Sequence, residues 1–275
     1  MSRFAKKHLD FHRVWSKAGV AKPDYFRILR LPGGYLQTIT VEFRGYPTYF
    51  ASPYWFLHSV REIFVDEVYR YNPSGSSPVI IDCGANIGLS VVYFKELCPG
   101  AKIVAFEPDP AVFDLLKKNV LERSYTDVEL VNEAVWVDNS ILNFSAEGAL
   151  GGKVSDDKSK SELIAVQGKR LRDVLDRDID FLKLDIEGAE YAVLEDCKDL
   201  LGNVRNLFVE YHCDPDEDQR LHNILDWIAN AGFRYYVTEA SPAQAHPFIS
   251  RRAEPFEMQL NISCYRKDGV PVFGQ

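Results

Sequence analysis

Short apolar runs rich in β-branched residues alternate along this chain with stretches of helical periodicity. Val79-Ile80-Ile81 leads into Asp82, then into a glycine-bracketed turn, Gly84-Ala85-Asn86-Ile87-Gly88, and the spacing from Leu89 to Leu97 is helical. The unit recurs. Lys102 to Phe106 reads as a strand before a helix from Pro110 to Leu121, and Ile179 to Ile186 as a strand before a helix from Tyr191 to Leu201. Asn206 to Glu210, continuing through Tyr211-His212, precedes an amphipathic helix from Arg220 to Ala231 closed by Gly232. Val128 to Val131 is a further strand, followed by irregular or hairpin structure over residues 136–168 and a short helical piece at Leu171 to Leu175. Only at the end does strand follow strand, Tyr235 to Thr238 and then the alternating Met258 to Tyr265. Repeated strand–helix units predict an α/β fold, a doubly wound, seven-stranded, mostly parallel sheet with helices on both faces.

The first 78 residues follow another pattern. Residues 1–30 read as loosely helical, Pro32-Gly33-Gly34 as a turn, and Leu36 to Phe43 alternates as a strand that returns through Arg44-Gly45 into Tyr46 to Phe50. Ser52-Pro53 is a helix start, and apolar positions at Trp55, Val60, Phe64, Val68 and Tyr71 carry the predicted helix to about Tyr71. The breaker Asn72 to Pro78 then sets the boundary, giving an N-terminal α+β extension at 1–78 and a main domain at 79–275. The extension is dense in aromatics, among them Tyr35, Phe43, Tyr49, Phe50, Trp55 and Phe56. A cap on the core and a wall or lid over a site both account for them.

Composition narrows the function. With 275 residues and 46 % hydrophobic content the chain can bury a full core. Its net charge of −8 comes from 40 acidic and 32 basic residues without a long basic run, which argues against a nucleic-acid partner. No stretch approaches 18 apolar residues, so no transmembrane segment is expected. The five cysteines, Cys83, Cys98, Cys197, Cys213 and Cys264, are widely spaced without a CxxC, the usage of a cytoplasmic protein with reduced thiols.

Five predicted strands end in polar groups: Asp82, Glu107, Asn132/Glu133, Asp185, and Glu210 with His212. In a parallel sheet these ends share one edge, where ligands bind. The turn presents backbone N–H groups, and Glu107, 19 residues beyond Gly88, is placed to accept from both hydroxyls of a ribose. A nicotinamide-dependent oxidoreductase is one candidate, although Asn86 stands where GxGxxG requires its second glycine. A catalytically silent ligand-binding module is another.

The set DCGANIGLS, FEPDP, NEAV, KLDIEGAE and VEYH, in this order, resembles the FkbM family of S-adenosylmethionine-dependent methyltransferases over about Val79 to Lys267. The resemblance implies a Rossmann-like class I methyltransferase sheet with an antiparallel last strand. The cofactor is then S-adenosylmethionine, released as S-adenosylhomocysteine, and the reaction O-methylation of a sugar, glycan or small natural product. Asp82, Gly84, Ala85, Asn86 and Gly88 match the first motif, around the methionine part of the cofactor. Glu107 and Pro108 match the ribose-holding segment, Glu133 and Ala134 the region beside adenine. Asp185, Glu187 and Gly188 match the segment beneath the sulfonium and the acceptor. Transfer to a hydroxyl benefits from a base, and the candidates are His212, whose ordinary pKa is near neutrality, and Asp185, with Glu210 as the partner that orients His212. Lys183 shares the Asp185 face of its strand and resembles the lysine of 2′-O-methyltransferase sites. Asp185 with Glu210 or His212 supplies oxygen and nitrogen donors, but no third ligand stands where Mg2+ would need it, so Mg2+ is not favoured and no metal is expected.

Overall fold

The structure is a computed structural model and describes residues 14–31, 37–145, 153–154, 163–241, 244, 246–250 and 256–269. Among the described residues a single helical turn, Ser16–Ala18, precedes a short helix, α1 (Lys22–Ile28), a hairpin of β1 (Ile39–Phe43) and β2 (Tyr46–Phe50), and α2 (Pro53–Phe64). Then come β3 (Val79–Cys83), α3 (Leu89–Leu97), β4 (Lys102–Phe106), α4 (Pro110–Glu122) and β5 (Val128–Val131). Four short strands follow: β6 (Ala134–Trp136), β7 (Ile141–Ser145), β8 (Lys153–Val154) and β9 (Leu163–Arg170). The remainder is β10 (Ile179–Leu184), α5 (Glu190–Cys197), β11 (Val204–Cys213), α6 (Leu221–Asn230), β12 (Phe233–Glu239) and β13 (Met258–Arg266).

The main sheet has seven strands in the order β12-β13-β11-β10-β3-β4-β5. β3, β4, β5, β10 and β11 pair in parallel, while β13 runs antiparallel to both β11 and β12. This is the class I methyltransferase arrangement. Strand order reverses beside β3, so the crevice at the carboxyl edge opens over its end. β3 and β10 are central and covered on both faces, which is why their sequences are nearly unbroken apolar runs. Side-chain alternation sends Ile80, Phe181 and Phe208 into one core layer and Ile81, Leu182 and Leu207 into the other.

The extension belongs to the first of those layers. Phe43, Phe50, Phe56 and Phe64 are buried in one cluster with Ile80, Ile103, Phe181 and Phe208. Asn119 of α4 fastens the hairpin to the glycine turn. Its Oδ1 accepts from the Tyr49 N–H at 2.8 Å, and its Nδ2 donates to the carbonyls of Tyr49 at 2.9 Å and Ile87 at 2.7 Å. The Arg123 guanidinium donates to the Phe43 carbonyl at 3.1 Å and to Thr48 Oγ1 at 2.8 Å.

One expectation needs correction. The helix from Pro53 ends at Phe64, not near Tyr71. Glu67 turns the chain at φ +52°, and Tyr69 and Tyr71 are apolar positions because they pack on Phe208, Phe94 and Phe181 outside any helix. Of the two alternatives for residues 136–168, the described residues take the hairpin one, with β7 antiparallel to β8 and β9. β6-β9-β7-β8 form a second sheet, with Ala134, Leu142, Phe144 and Val166 as its small core. Apolar alternation of two or three positions is too short to announce such strands. The turn at Pro32-Gly33-Gly34, the glycines at 148, 151 and 152 and the charged run from Ser155 to Ser161 lie outside the described residues.

Candidate active site

The end of β3 turns sharply under a backbone that only small residues permit. Gly84 adopts φ +84°, and a Cβ on it would lie 1.8 Å from the Asp185 carbonyl oxygen. Gly88 adopts φ +87°, and there a Cβ would lie 2.6 Å from Leu116 Cδ1. Asn86 takes the left-handed region at φ +48°, an asparagine habit that serves here in place of a glycine. Glu107 closes the turn from the neighbouring strand. One of its oxygens accepts from the Asn86 N–H and the other from the Asp109 N–H, both at 2.9 Å. Each carboxylate oxygen keeps an accepting position. Burial pushes the Glu107 carboxyl up to about 8, against the pull of these two N–H groups. Asn132 braces the segment by donating to the carbonyls of Glu107 at 2.8 Å and Pro108 at 3.0 Å.

Below the turn lies a buried ion network. Asp82 is fully buried; one oxygen accepts from Ser90 Oγ at 2.5 Å and the other lies 3.4 Å from Lys183 Nζ. Lys183 Nζ also lies 3.2 Å from Asp185 Oδ2 and donates to the Gly84 carbonyl at 2.8 Å. Burial opposes its charge, but Asp185 and Asp82 outweigh burial and hold the ammonium above the ordinary lysine range. Lys183 therefore keeps its proton at neutral pH. Its contacts tie the ends of β3 and β10 together.

At the end of β11, His212 is buried and faces three carboxylates. Its Nδ1 lies 3.0 Å from Glu190 Oε1, and its Nε2 lies 3.5 Å from both Glu187 Oε2 and Glu210 Oε1. Glu190 is itself fully buried and accepts from the N–H groups of Ile186 at 3.0 Å and Gly188 at 3.1 Å. This setting bears on the expected role of His212 as a base. Burial disfavours the imidazolium, but Glu187 and Glu190 overcome it and raise His212 well above its ordinary range. Burial pushes Glu187 up to about 8, opposed by His212, and raises Glu210, to which Asp185 adds.

Asp185, Glu187, Gly188, Glu210 and His212 thus come together at the carboxyl edge, beside Lys183, and β11 extends far enough to put Glu210 and His212 on one face. Gly84, Ala85, Asn86, Gly88, Glu107 and Pro108 form the neighbouring turn region. Glu133 and Ala134 lie at the next strand end, with Ala134 buried at the start of β6. Asp82 lies beneath the turn, its two oxygens directed at Ser90 and Lys183.

Three residues of the site escape a reading by strand ends. Glu62 of α2 accepts from Asn261 Nδ2 at 3.1 Å, and burial, then the charge of Glu210, push its carboxyl up to about 7. Asn261 on β13 stands in register with Glu210. Tyr69 lies with its ring 5.8 Å from Lys183 Nζ. The signal for Glu62 was available: an acid at the helical spacing of Ser52, Trp55 and Ser59, on a helix otherwise apolar on its buried side. Ser52, Trp55 and Ser59 meet Asn86 and Ile87 in an open recess, so the extension lines this region as well as joining the core.

Comparison with known proteins gives the family. The family described as methyltransferase FkbM domain matches residues 82–235. Methyltransferase sdnD of Sordaria araneosa is 33 % identical over 187 residues, covering 54 % of this chain and 72 % of that protein. The 2-O-methyltransferase NoeI of Sinorhizobium fredii is 29 % identical over 168 residues, covering 53 % of this chain and 65 % of that protein. The 31-O-demethyl-FK506 methyltransferase FkbM of Streptomyces tacrolimicus is 26 % identical over 233 residues, covering 70 % of this chain and 88 % of that protein.

Proposed function

The chain belongs to the FkbM methyltransferase family, and from that premise we propose that it carries a methyl group from S-adenosylmethionine to a hydroxyl of a sugar, glycan or small natural product. The names of two relatives, a 2-O-methyltransferase and a 31-O-demethyl-FK506 methyltransferase, support the oxygen acceptor. The observation that carries the reading is Glu107 locked against the glycine turn by two backbone N–H groups, with accepting positions left over.

The residues present fit the cofactor. Glu107 offers two oxygens to a pair of ribose hydroxyls, and the turn from Gly84 to Gly88 offers backbone rather than side chain where a ligand approaches. Glu133 and Ala134 flank the adenine side, and Asp185, Glu187 and Gly188 stand toward the charged sulfur and the acceptor. When bound, S-adenosylmethionine supplies an electrophilic methyl group on a sulfonium and leaves as S-adenosylhomocysteine.

The protein's share of the chemistry is alignment and proton removal. Lys183 fixes the Asp185 turn against Gly84. Glu210 is the residue we assign to take the acceptor proton: it lies at the strand end, and burial makes it a stronger base than a solvated glutamate. His212 orients Glu210 and Glu187 from between them.

The test is incubation with S-adenosylmethionine and a panel of hydroxylated acceptors, from monosaccharides and chitooligosaccharides to small polyketides. Release of S-adenosylhomocysteine with a methyl ether found by mass spectrometry is the expected result, lost in Glu107→Ala. A methylated nitrogen or carbon with no methyl ether would refute the oxygen acceptor. Absence of cofactor binding would refute the whole reading.

A further inference from the structure

We propose that Asp185, Glu187 and His212 form a binding site for one divalent first-row cation of the Mn2+ or Fe2+ type. One ligand atom from each lies within 4.8 Å of the other two, and they come from two strand ends and the turn between β10 and α5. His212 Nε2 stands 3.5 Å from Glu187 Oε2, longer than a good hydrogen bond and close to the separation of about 3 Å between adjacent ligands of one ion. An imidazole nitrogen with two carboxylates suits Mn2+, Fe2+ or Zn2+ better than the all-oxygen shell of Mg2+.

Groups outside the three ligands prepare the site. Glu190 holds His212 Nδ1 at 3.0 Å and is itself fixed by the N–H groups of Ile186 and Gly188, so Nε2 is the nitrogen turned toward the carboxylates. A carboxylate behind a ligating histidine is the usual arrangement that sets its tautomer and direction. On the neighbouring strand, Asn261 stands opposite Glu210 on the same face; its Nδ2 is taken by Glu62, while its Oδ1 is buried without a hydrogen-bond partner. A buried acceptor oxygen of this kind calls for a donor, and a water of the ion's shell supplies one. Charge points the same way. The carboxyl groups of Asp185, Glu187, Glu190 and Glu210 crowd around one ammonium and one imidazole, and a cation at His212 Nε2 takes the place of any proton there, which leaves to solvent. Glu210, not a ligand here, stays beside the ion as the acceptor for a proton from a coordinated hydroxyl. The site rests on these side chains alone and stands apart from the choice of methyl acceptor.

The experiment is titration of the metal-stripped full chain with Mn2+, followed by electron paramagnetic resonance, without cofactor or acceptor. One Mn2+ per chain is expected, with 14N modulation in the spin-echo signal from His212. Glu187→Gln, at a partly exposed turn position, should weaken binding at least tenfold with an unchanged melting temperature. His212→Gln should lose the 14N modulation; if it fails to fold, Glu187→Gln decides alone. Equal Mn2+ affinity in wild type and Glu187→Gln would overturn the site, as would bound Mn2+ without nitrogen coupling in the wild type.

Discussion

Glu107 should make cofactor binding depend on pH in a way that one substitution removes. Burial sets its carboxyl at about 8 in the free protein, so at neutral pH most molecules carry a proton there. Two ribose hydroxyls donate to a carboxylate, so binding below pH 8 must expel that proton. For a group of this pKa the apparent Kd rises about 10-fold at pH 7 and about 100-fold at pH 6 over its fully ionised value. Calorimetric titration with S-adenosylhomocysteine from pH 6 to 9, in buffers of different ionisation enthalpy, reads both the slope and the proton released. Glu107→Gln keeps the shape but cannot lose a proton, so its profile should be flat and its affinity at pH 8.5 lower. Because the ligand's own ionisation is common to both proteins, the difference between the profiles isolates Glu107. A flat wild-type profile between pH 6 and 8, or the same slope in Glu107→Gln, would refute the assignment of Glu107 to the ribose.

Gly84→Ala places a Cβ 1.8 Å from the Asp185 carbonyl oxygen at φ +84°; the expected cost is about 3 kcal/mol or more, or about 10 °C in Tm by differential scanning fluorimetry, with cofactor binding lost. Asn119→Ala strands the Tyr49 N–H and the Tyr49 and Ile87 carbonyls, a loss of about 2–4 kcal/mol; limited proteolysis should then cut the extension before the main domain. Glu62→Gln should leave Tm nearly unchanged at pH 3.5 and raise it at pH 8.5. The folded carboxyl, at about 7, is raised above its unfolded value, so its contribution is fully present below that unfolded value and is lost as pH rises through 7. Gln removes the buried charge, and the gain is bounded by about 3 kcal/mol.

The parts of the fold that were legible in the sequence are those with long, unambiguous periods. The run at Val79 to Ile81 and the glycine turn announced β3 and its edge, and the recurring units announced a parallel sheet. Residues 136–168 could be read only as irregular or hairpin structure, because the buried positions of β6, β7 and β9 are too few to mark each strand. Val68 and Tyr71 were read as helix because an apolar spacing of about four does not distinguish a helix from a bent segment packed on a sheet. At the site, strand-end residues could be read one by one, since position along a strand fixes which edge they reach. What could not be read was their mutual distance. His212 can be read as a strand-end residue, but not its enclosure by Glu187, Glu190 and Glu210, which come from a turn, a helix start and β11. Glu62 and Asn261 enter from the extension and from the antiparallel strand, elements whose place in the sheet is set by tertiary packing.

The central claim is that the turn from Gly84 to Gly88 and Glu107 hold S-adenosylmethionine rather than a nicotinamide dinucleotide. Titrating the full chain at pH 8.5 with S-adenosylhomocysteine by calorimetry, and in parallel with NADH by fluorescence, tests it most directly. One S-adenosylhomocysteine per chain and no NADH response is the predicted result. NADH binding that is lost in Glu107→Ala, with no heat from S-adenosylhomocysteine, would contradict it.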